Sequence, residues 1–333
     1  MAGSEVFRSE WLAFEEELGF RPLLHGPTYE GLVKQNTEIG LKLVERYDFP
    51  TADPSVSTAE EKTSNGTRVK IYTPPELKPD QPIVCYFHGG GGVFGGIDDD
   101  DYIVTRHCKD TGLVFVSVEY RLAPLHPHPA GFDDCVDAAK WCIENAKSLG
   151  NQRSKVLLMG VSAGATLALA TALKLLHDHR TGEVEGVVAC QPLTLHPDGV
   201  PEEFQSMYTS YDEHATHTIN TKAAMKTFLD LIGASKSDRY LFSALNSHIK
   251  DLPCVYLNCC EADTLRDDAR VLKKLLDRYG VPNEYDEYPG LPHFFFAYPT
   301  PELKELSANY FAKTAAGISF IVTSSIQSPL PLS

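Results

Sequence analysis

Short, unbroken apolar runs alternate with helix-length stretches through most of this chain. Residues 82–88, 113–119, 155–160, 186–190 and 253–258 form such runs, each too short for a helix. Between them, residues 132–147, 163–179 and 265–279 have helical length and spacing. Strands apolar on both faces and alternating with helices predict a mostly parallel central sheet flanked by helices, an α/β fold. Residues 69–72 alternate like a half-buried strand, residues 283–288 predict a last strand, and residues 301–315 a final helix.

Two regions break this rhythm. Residues 1–50 carry a broken helical pattern, with Trp11, Leu12, Phe14 and Leu18 on one stripe and a second candidate helix over 32–44. Residues 49–64 read as a linker. Residues 194–247 are polar and rich in Tyr and His, with one helical segment near 221–231. The expected organisation is a core over 51–193 and 248–322, an N-terminal helical segment over 1–50, an insertion over 194–247, and a flexible Ser- and Pro-rich tail over 323–333. Both additions are placed to cover the same edge of the sheet.

Composition narrows the function classes. At 333 residues the chain can bury a large core, and 43% hydrophobic with 23% charged residues excludes wholesale disorder. The net charge of −15 repels phosphate backbones and anionic lipid, so neither nucleic acid nor a membrane surface is an expected partner. Eight cysteines are scattered without a C-x-x-C pair, mostly inside apolar runs, and read as reduced, buried side chains. With no export-type apolar core near residue 1 and no window of about 18 apolar residues, a cytoplasmic protein is the expectation. The oligomeric state is open, a homodimer included.

The chemistry concentrates at strand ends. Gly160-Val161-Ser162-Ala163-Gly164 follows one apolar run and opens one helical stretch. A strand-to-helix turn this abrupt needs small residues at 160, 163 and 164, and it projects the Ser162 hydroxyl above the sheet at the positive end of a helix. The bland alternative, an incidental serine in a glycine-rich turn, fits the flanking strand and helix less well. Upstream, His88-Gly89-Gly90-Gly91-Gly92 ends another apolar run. Consecutive glycines can turn backbone N–H groups toward an oxyanion, with His88 fixing the loop by hydrogen bonding. A phosphate-cradling loop is disfavoured, because no Lys-Ser/Thr follows and Asp98 to Asp101 come next. Those aspartates read as charges favouring a helix start at Tyr102.

A serine nucleophile needs a base and an orienting acid. His293 follows a turn just after the last predicted strand, and Asp263 lies in the loop after the strand before it. The order Ser162, Asp263, His293 is that of an α/β-hydrolase. Asp267 and Asp268 read as surface charges in the first turn of the next helix. The pairs His126/His128, His177/His179 and His214/His217 lack cysteine or carboxylate partners at ligand spacing, so no metal is expected.

At these residues the chain resembles the hormone-sensitive lipase family of α/β-hydrolases, esterases with an H-G-G-G oxyanion motif, over roughly residues 66–316. The resemblance rests on His88–Gly91, Tyr120-Arg-Leu-Ala-Pro124 with Pro127-x-Pro129-Ala130, Gly160–Gly164, Asp263-x-Leu-Arg-Asp267 and Pro292-His293-Phe294. It implies an α/β-hydrolase fold, a Ser162 nucleophile, a His293 base, an Asp263 orienting acid and an oxyanion motif led by His88 and Gly89. It also implies oxyanion donors from the backbones of Gly90, Gly91 and Ala163, and a helical cap built from the N-terminal segment and the insertion. Within the family the chain is most similar to fungal esterases of secondary-metabolite gene clusters. It departs from the family at Val161, Ala165 and Thr264, and in the additional Gly92 followed by Val93-Phe94-Gly95-Gly96.

The expected reaction is two-step acyl transfer from a small-molecule ester to water, without metal or organic cofactor. Trp11, Phe14, Phe20, Phe94, Met207, Tyr208, Tyr211 and Phe294 are candidate apolar walls for the substrate, with core packing the competing reading for each. The same three side chains would serve an acyltransferase, a thioesterase or a C–C bond hydrolase. A non-catalytic receptor of the same fold is the reading from another class, and the presence of His293 weighs against it.

Overall fold

The computed structural model describes residues 4–78 and 80–327. In chain order its elements begin with α1 (Ser9–Leu18), α2 (Tyr29–Arg46), β1 (Ser57–Lys62), β2 (Arg68–Thr73), β3 (Ile83–Phe87) and α3 (Asp101–Thr111). Next come β4 (Phe115–Val118), α4 (Ala130–Glu144), β5 (Val156–Val161), α5 (Ala163–His177) and β6 (Val184–Cys190). The insertion holds short α6 (Glu202–Gln205) and α7 (Ser210–Glu213), then α8 (Lys222–Ile232). The core resumes with β7 (Val255–Ala262), α9 (Arg266–Tyr279), β8 (Asn283–Pro292) and α10 (Lys304–Gln327).

All eight strands form one sheet in the order β1-β2-β4-β3-β5-β6-β7-β8. β1 and β2 pair antiparallel, and every pairing from β4 to β8 is parallel. The apolar runs are those buried on both faces. Ile83, Cys85 and Phe87 of β3 join the core shared with α4, α5 and α9, while Val84 and Tyr86 join the core shared with α1, α3 and α10. Parallel strands deliver their carboxyl ends to one edge of the sheet, where α/β folds place ligands. Phe87 pairs with Gly160, Gly160 with Ala189 and Ala189 with Leu257, so the residues that follow β3, β5, β6 and β7 share that edge.

The N-terminal segment and the insertion meet. Leu24 N–H donates to the Ile219 carbonyl at 2.7 Å and the Leu24 carbonyl accepts from Thr221 N–H at 3.3 Å, a single parallel bridge between chain segments far apart in sequence. α2 packs against α8. α1 is anchored by Trp11 and Phe14, both fully buried, and by the buried Glu15 carboxylate, which accepts from Trp11 Nε1 at 2.7 Å and pairs with Arg21.

Three expectations change. Residues 49–64 are not a plain linker, because β1 lies within them; all six of its residues are exposed, so no apolar pattern marks it. The tail is helical as far as residue 327: α10 carries Ile318, Ile321 and Val322 into the core, and residues 328–333 lie outside the described residues. The run Asp98–Asp101 does more than start a helix. Asp100 sits at the N-cap position of α3 but makes no capping hydrogen bond; it is buried and accepts from Tyr86 Oη at 2.7 Å. Asp98 and Asp101 both hold the Lys70 ammonium, each at 2.7 Å. All eight cysteines are free and buried. Among the described residues, no helix is long and apolar enough to cross a membrane.

Candidate active site

The turn after β5 is possible only with glycine at two positions. A Cβ at Gly164 would lie 1.9 Å from the Phe87 carbonyl oxygen, and one at Gly160 would lie 2.2 Å from the Gly164 carbonyl carbon. α5 therefore starts hard against β3 and β5. Ser162 takes a left-handed backbone, φ 56° and ψ −121°, and its N–H donates to the Cys190 carbonyl at 2.8 Å. Held in this conformation, it stands at the N-terminus of α5, where the helix dipole favours negative charge.

The Ser162 hydroxyl lies 2.9 Å from His293 Nε2, and His293 Nδ1 lies 2.6 Å from Asp263 Oδ2. His293 follows β8 and Asp263 follows β7, so neighbouring parallel strands supply both. Both residues are buried. The second oxygen of Asp263 accepts from Leu265 N–H at 3.1 Å and from Asn220 Nδ2 at 3.4 Å. A buried carboxylate–imidazole–hydroxyl line of this kind can draw a proton from the hydroxyl and return it to a leaving group.

The glycine loop after β3 borders the same space. Gly90, Gly91 and Gly92 all have positive φ, and a Cβ at Gly90 would lie 2.2 Å from the Phe94 carbonyl oxygen. His88 is buried beneath the loop, stacked on Tyr120 with ring centroids 4.2 Å apart, and its Nδ1 donates to the Gly89 carbonyl at 2.8 Å. Burial holds its pKa below that of an ordinary imidazole, which favours the neutral ring. Tyr120 Oη donates to the His88 carbonyl at 2.7 Å.

Ser162, Ala163, His293 and Gly89–Gly92 line a cavity of about 400 Å³. Phe94 and Phe294 line it too, as do Met225, Phe228 and Leu229 of α8, with Leu24 and Tyr298 contributing from the rest of the chain. Tyr208 does not: its hydroxyl is turned away to donate to Asp268 Oδ2 at 2.7 Å, with Tyr211 stacked against it. Trp11 and Phe14 pack against Tyr298 behind the wall rather than forming it, Phe20 lies under the Lys42 ammonium, and Met207 and Tyr211 also stay outside the lining.

Asp267 and Asp268 are not surface charges; both are fully buried. Asp267 accepts from the backbone N–H groups of Thr209 (2.7 Å) and Ser210 (2.8 Å) and pairs with Arg266. Asp268 accepts from the N–H groups of Thr194 (2.7 Å) and Leu195 (2.8 Å), and burial pushes its carboxyl up to about 7. Further bonds run from Ser210 Oγ to the Thr264 carbonyl (2.7 Å), from Thr218 Oγ1 to the Ala262 carbonyl (2.8 Å) and from Thr264 Oγ1 to the Asn220 carbonyl (3.0 Å). The first half of the insertion is thus stitched to the loop that carries Asp263.

Pattern reading passes over Gln191, Asn220 and Phe228. Gln191 had a usable signal, being a polar residue directly after an apolar strand. Among the described residues, no group of three His, Cys, Asp or Glu side chains gathers as a metal site. His128 faces Asp238, and His214 faces His217 at 3.0 Å.

A family model of the α/β-hydrolase fold matches residues 84–297. The chain is 38% identical, over 94% of its length and 98% of the relative's, to versiconal hemiacetal acetate esterase of Aspergillus parasiticus. It is 42% identical, over 81% of its length, to the FAD-linked oxidoreductase pytB of Aspergillus terreus, but spans only 33% of that protein. A hyperthermophilic esterase from the archaeon Pyrobaculum calidifontis has the same fold, with a TM-score of 0.74 at 28% identity over 88% of this chain and 94% of that one. The chain belongs to the α/β-hydrolase family, and it is a hydrolase.

Proposed function

We propose that the protein is a serine carboxylester hydrolase that cleaves small to medium neutral esters through an acyl-enzyme on Ser162. His293 takes the Ser162 proton as Oγ attacks the ester carbonyl, and Asp263 holds the imidazole with Nδ1–H toward its carboxylate. The N–H groups of Gly90, Gly91 and Ala163 receive the oxyanion. His293 then protonates the departing alkoxide. A water deprotonated by His293 attacks the acyl group, the acid leaves, and Ser162 recovers its proton.

The observation that carries this reading is the hydrogen-bonded line from Ser162 through His293 to Asp263, at 2.9 and 2.6 Å, opening into a cavity beside the glycine loop. The substrate reading draws on the relative named as an acetate esterase and on the aromatic lining from Phe94, Phe228 and Phe294. Together they favour a short acyl group on a larger apolar alcohol, of the kind made in polyketide-type secondary metabolism. The N-terminal helices and the insertion act as the cap over this site. Eight buried free thiols suit a reducing compartment such as the cytoplasm.

Fluorophosphonate labelling tests the reading directly. The adduct is expected on Ser162, protected by acetate esters and lost in Ser162→Ala together with hydrolysis of p-nitrophenyl acetate. Full turnover by Ser162→Ala, or an adduct mapped to another residue, would overturn it.

A further inference from the structure

Gln191 directly follows β6, is fully buried, and holds a left-handed backbone at φ 55°. A residue with a Cβ adopts that conformation only when its surroundings hold it there. Here three contacts do so, and each reaches a different arm of the site. The carbonyl just before it, on Cys190, accepts from Ser162 N–H at 2.8 Å. Its own N–H donates to the Asn258 carbonyl at 2.9 Å, on the strand that runs into Asp263. Its side-chain Oε1 accepts from Phe294 N–H at 3.0 Å, the amide directly after His293.

The last contact bears on the imidazole. The N–H of residue 294 turns with ψ of His293, so pinning it fixes the direction in which the His293 side chain leaves the backbone. Phe294 is itself left-handed, at φ 60°, and the hydrogen bond locks the two unusual conformations to each other. Packing alone would favour an apolar side chain at 191. Instead a carboxamide is kept whose Nε2 has no partner among the described residues, so its oxygen is the working atom.

We infer that Gln191 is a positioning residue: by holding the Phe294 amide it keeps His293 Nε2 at attack distance from the Ser162 hydroxyl. This rests on the reading of Ser162 and His293 given above.

Gln191→Met keeps side-chain length but removes the carboxamide oxygen. With p-nitrophenyl acetate, its kcat is expected to fall about 10²-fold while KM stays near the wild-type value, since a base displaced by about 1 Å costs that much. Gln191→Glu keeps an oxygen facing Phe294 and has no Nε2 bond to lose, so it regains most of the lost kcat. Should Gln191→Met fail to fold, Gln191→Asn carries the same expectation, because Asn tolerates left-handed backbone but is one methylene too short to reach. The inference is overturned by a kcat within about twofold of wild type, by a loss that appears in KM instead, or by Gln191→Glu as slow as Gln191→Met. Ser162→Ala measured alongside separates two failures. An inactive Ser162→Ala beside an unimpaired Gln191→Met removes only the role of Gln191, whereas an active Ser162→Ala removes the reaction itself.

Discussion

The ring of Phe228 lies flat against Gly91: a Cβ at 91 would come within 2.7 Å of its Cδ1. Phe228 comes from α8 and meets Phe94 edge-on, with centroids 5.8 Å apart, so two aromatic rings close the cavity beside the glycine loop. Phe228→Ala opens that corner. Its kcat/KM ratio for bulky over short esters should rise, while denaturant melts show a loss of about 3–5 kcal/mol from the vacated core. An unchanged size preference would put Phe228 off the substrate's path.

Asp263→Asn presents an amide N–H to His293 Nδ1 and so favours the wrong tautomer. The expected result is a fall in kcat of about 10⁴ with native circular dichroism. Initial rates on a p-nitrophenyl ester measure it, and a loss under about tenfold would mean that the imidazole takes its orientation elsewhere.

Asp268 supplies a pH dependence. Burial raises its carboxyl to about 7 from the ordinary 3.8, so between those values the native chain keeps a proton that the unfolded chain has lost. Its contribution to stability therefore declines as pH rises through that window and is level above it. Asp268→Asn cannot ionise, yet still offers an oxygen to the Thr194 and Leu195 amides. The unfolding free energy of the variant minus that of wild type should grow from about pH 4 to about pH 7 and then hold constant. Urea titrations across the range test this, and a flat difference would show that Asp268 is ionised throughout.

Gly164→Ala sets a methyl against the Phe87 carbonyl at 1.9 Å, backbone against backbone, with no side chain able to give way. A destabilisation above about 3 kcal/mol, or loss of soluble protein, is expected. Gly182→Ala, whose Cβ would meet nothing within 4 Å, is the control and should stay within about 1 kcal/mol of wild type.

The core strands are readable from the chain because a strand buried on both faces must be an apolar run, as Ile83–Phe87 and Val156–Val161 are. β1 escapes that logic: it pairs at the sheet edge with no buried side chain, so nothing in Ser57–Lys62 distinguishes it from a loop. Ser162, Asp263 and His293 can be singled out because each closely follows a strand and carries a recognisable local motif. Asp267 and Asp268 mislead, because charge in a helix's first turn is usually solvated. What buries them is a segment some 57 to 74 residues earlier, a contact no local window contains. Tyr208 misleads for the same reason, its hydroxyl claimed by Asp268. Gln191 belongs to no motif, and its two hydrogen bonds, to Asn258 and Phe294, reach segments distant from it in the chain.

The bonds between residues 208–220 and the loop at 262–268 divide the insertion into a fixed buttress and a separate wall, with α8 on the wall side. The two parts meet at Asn220, which lines the cavity, donates to Asp263 Oδ1 at 3.4 Å and faces Met225 Sδ of α8 at 3.6 Å. A chimera that exchanges α8 only beyond Met225, with the buttress left alone, is therefore expected to retailor the wall at Phe228 and Leu229 while the 263 side chain inherits its aim.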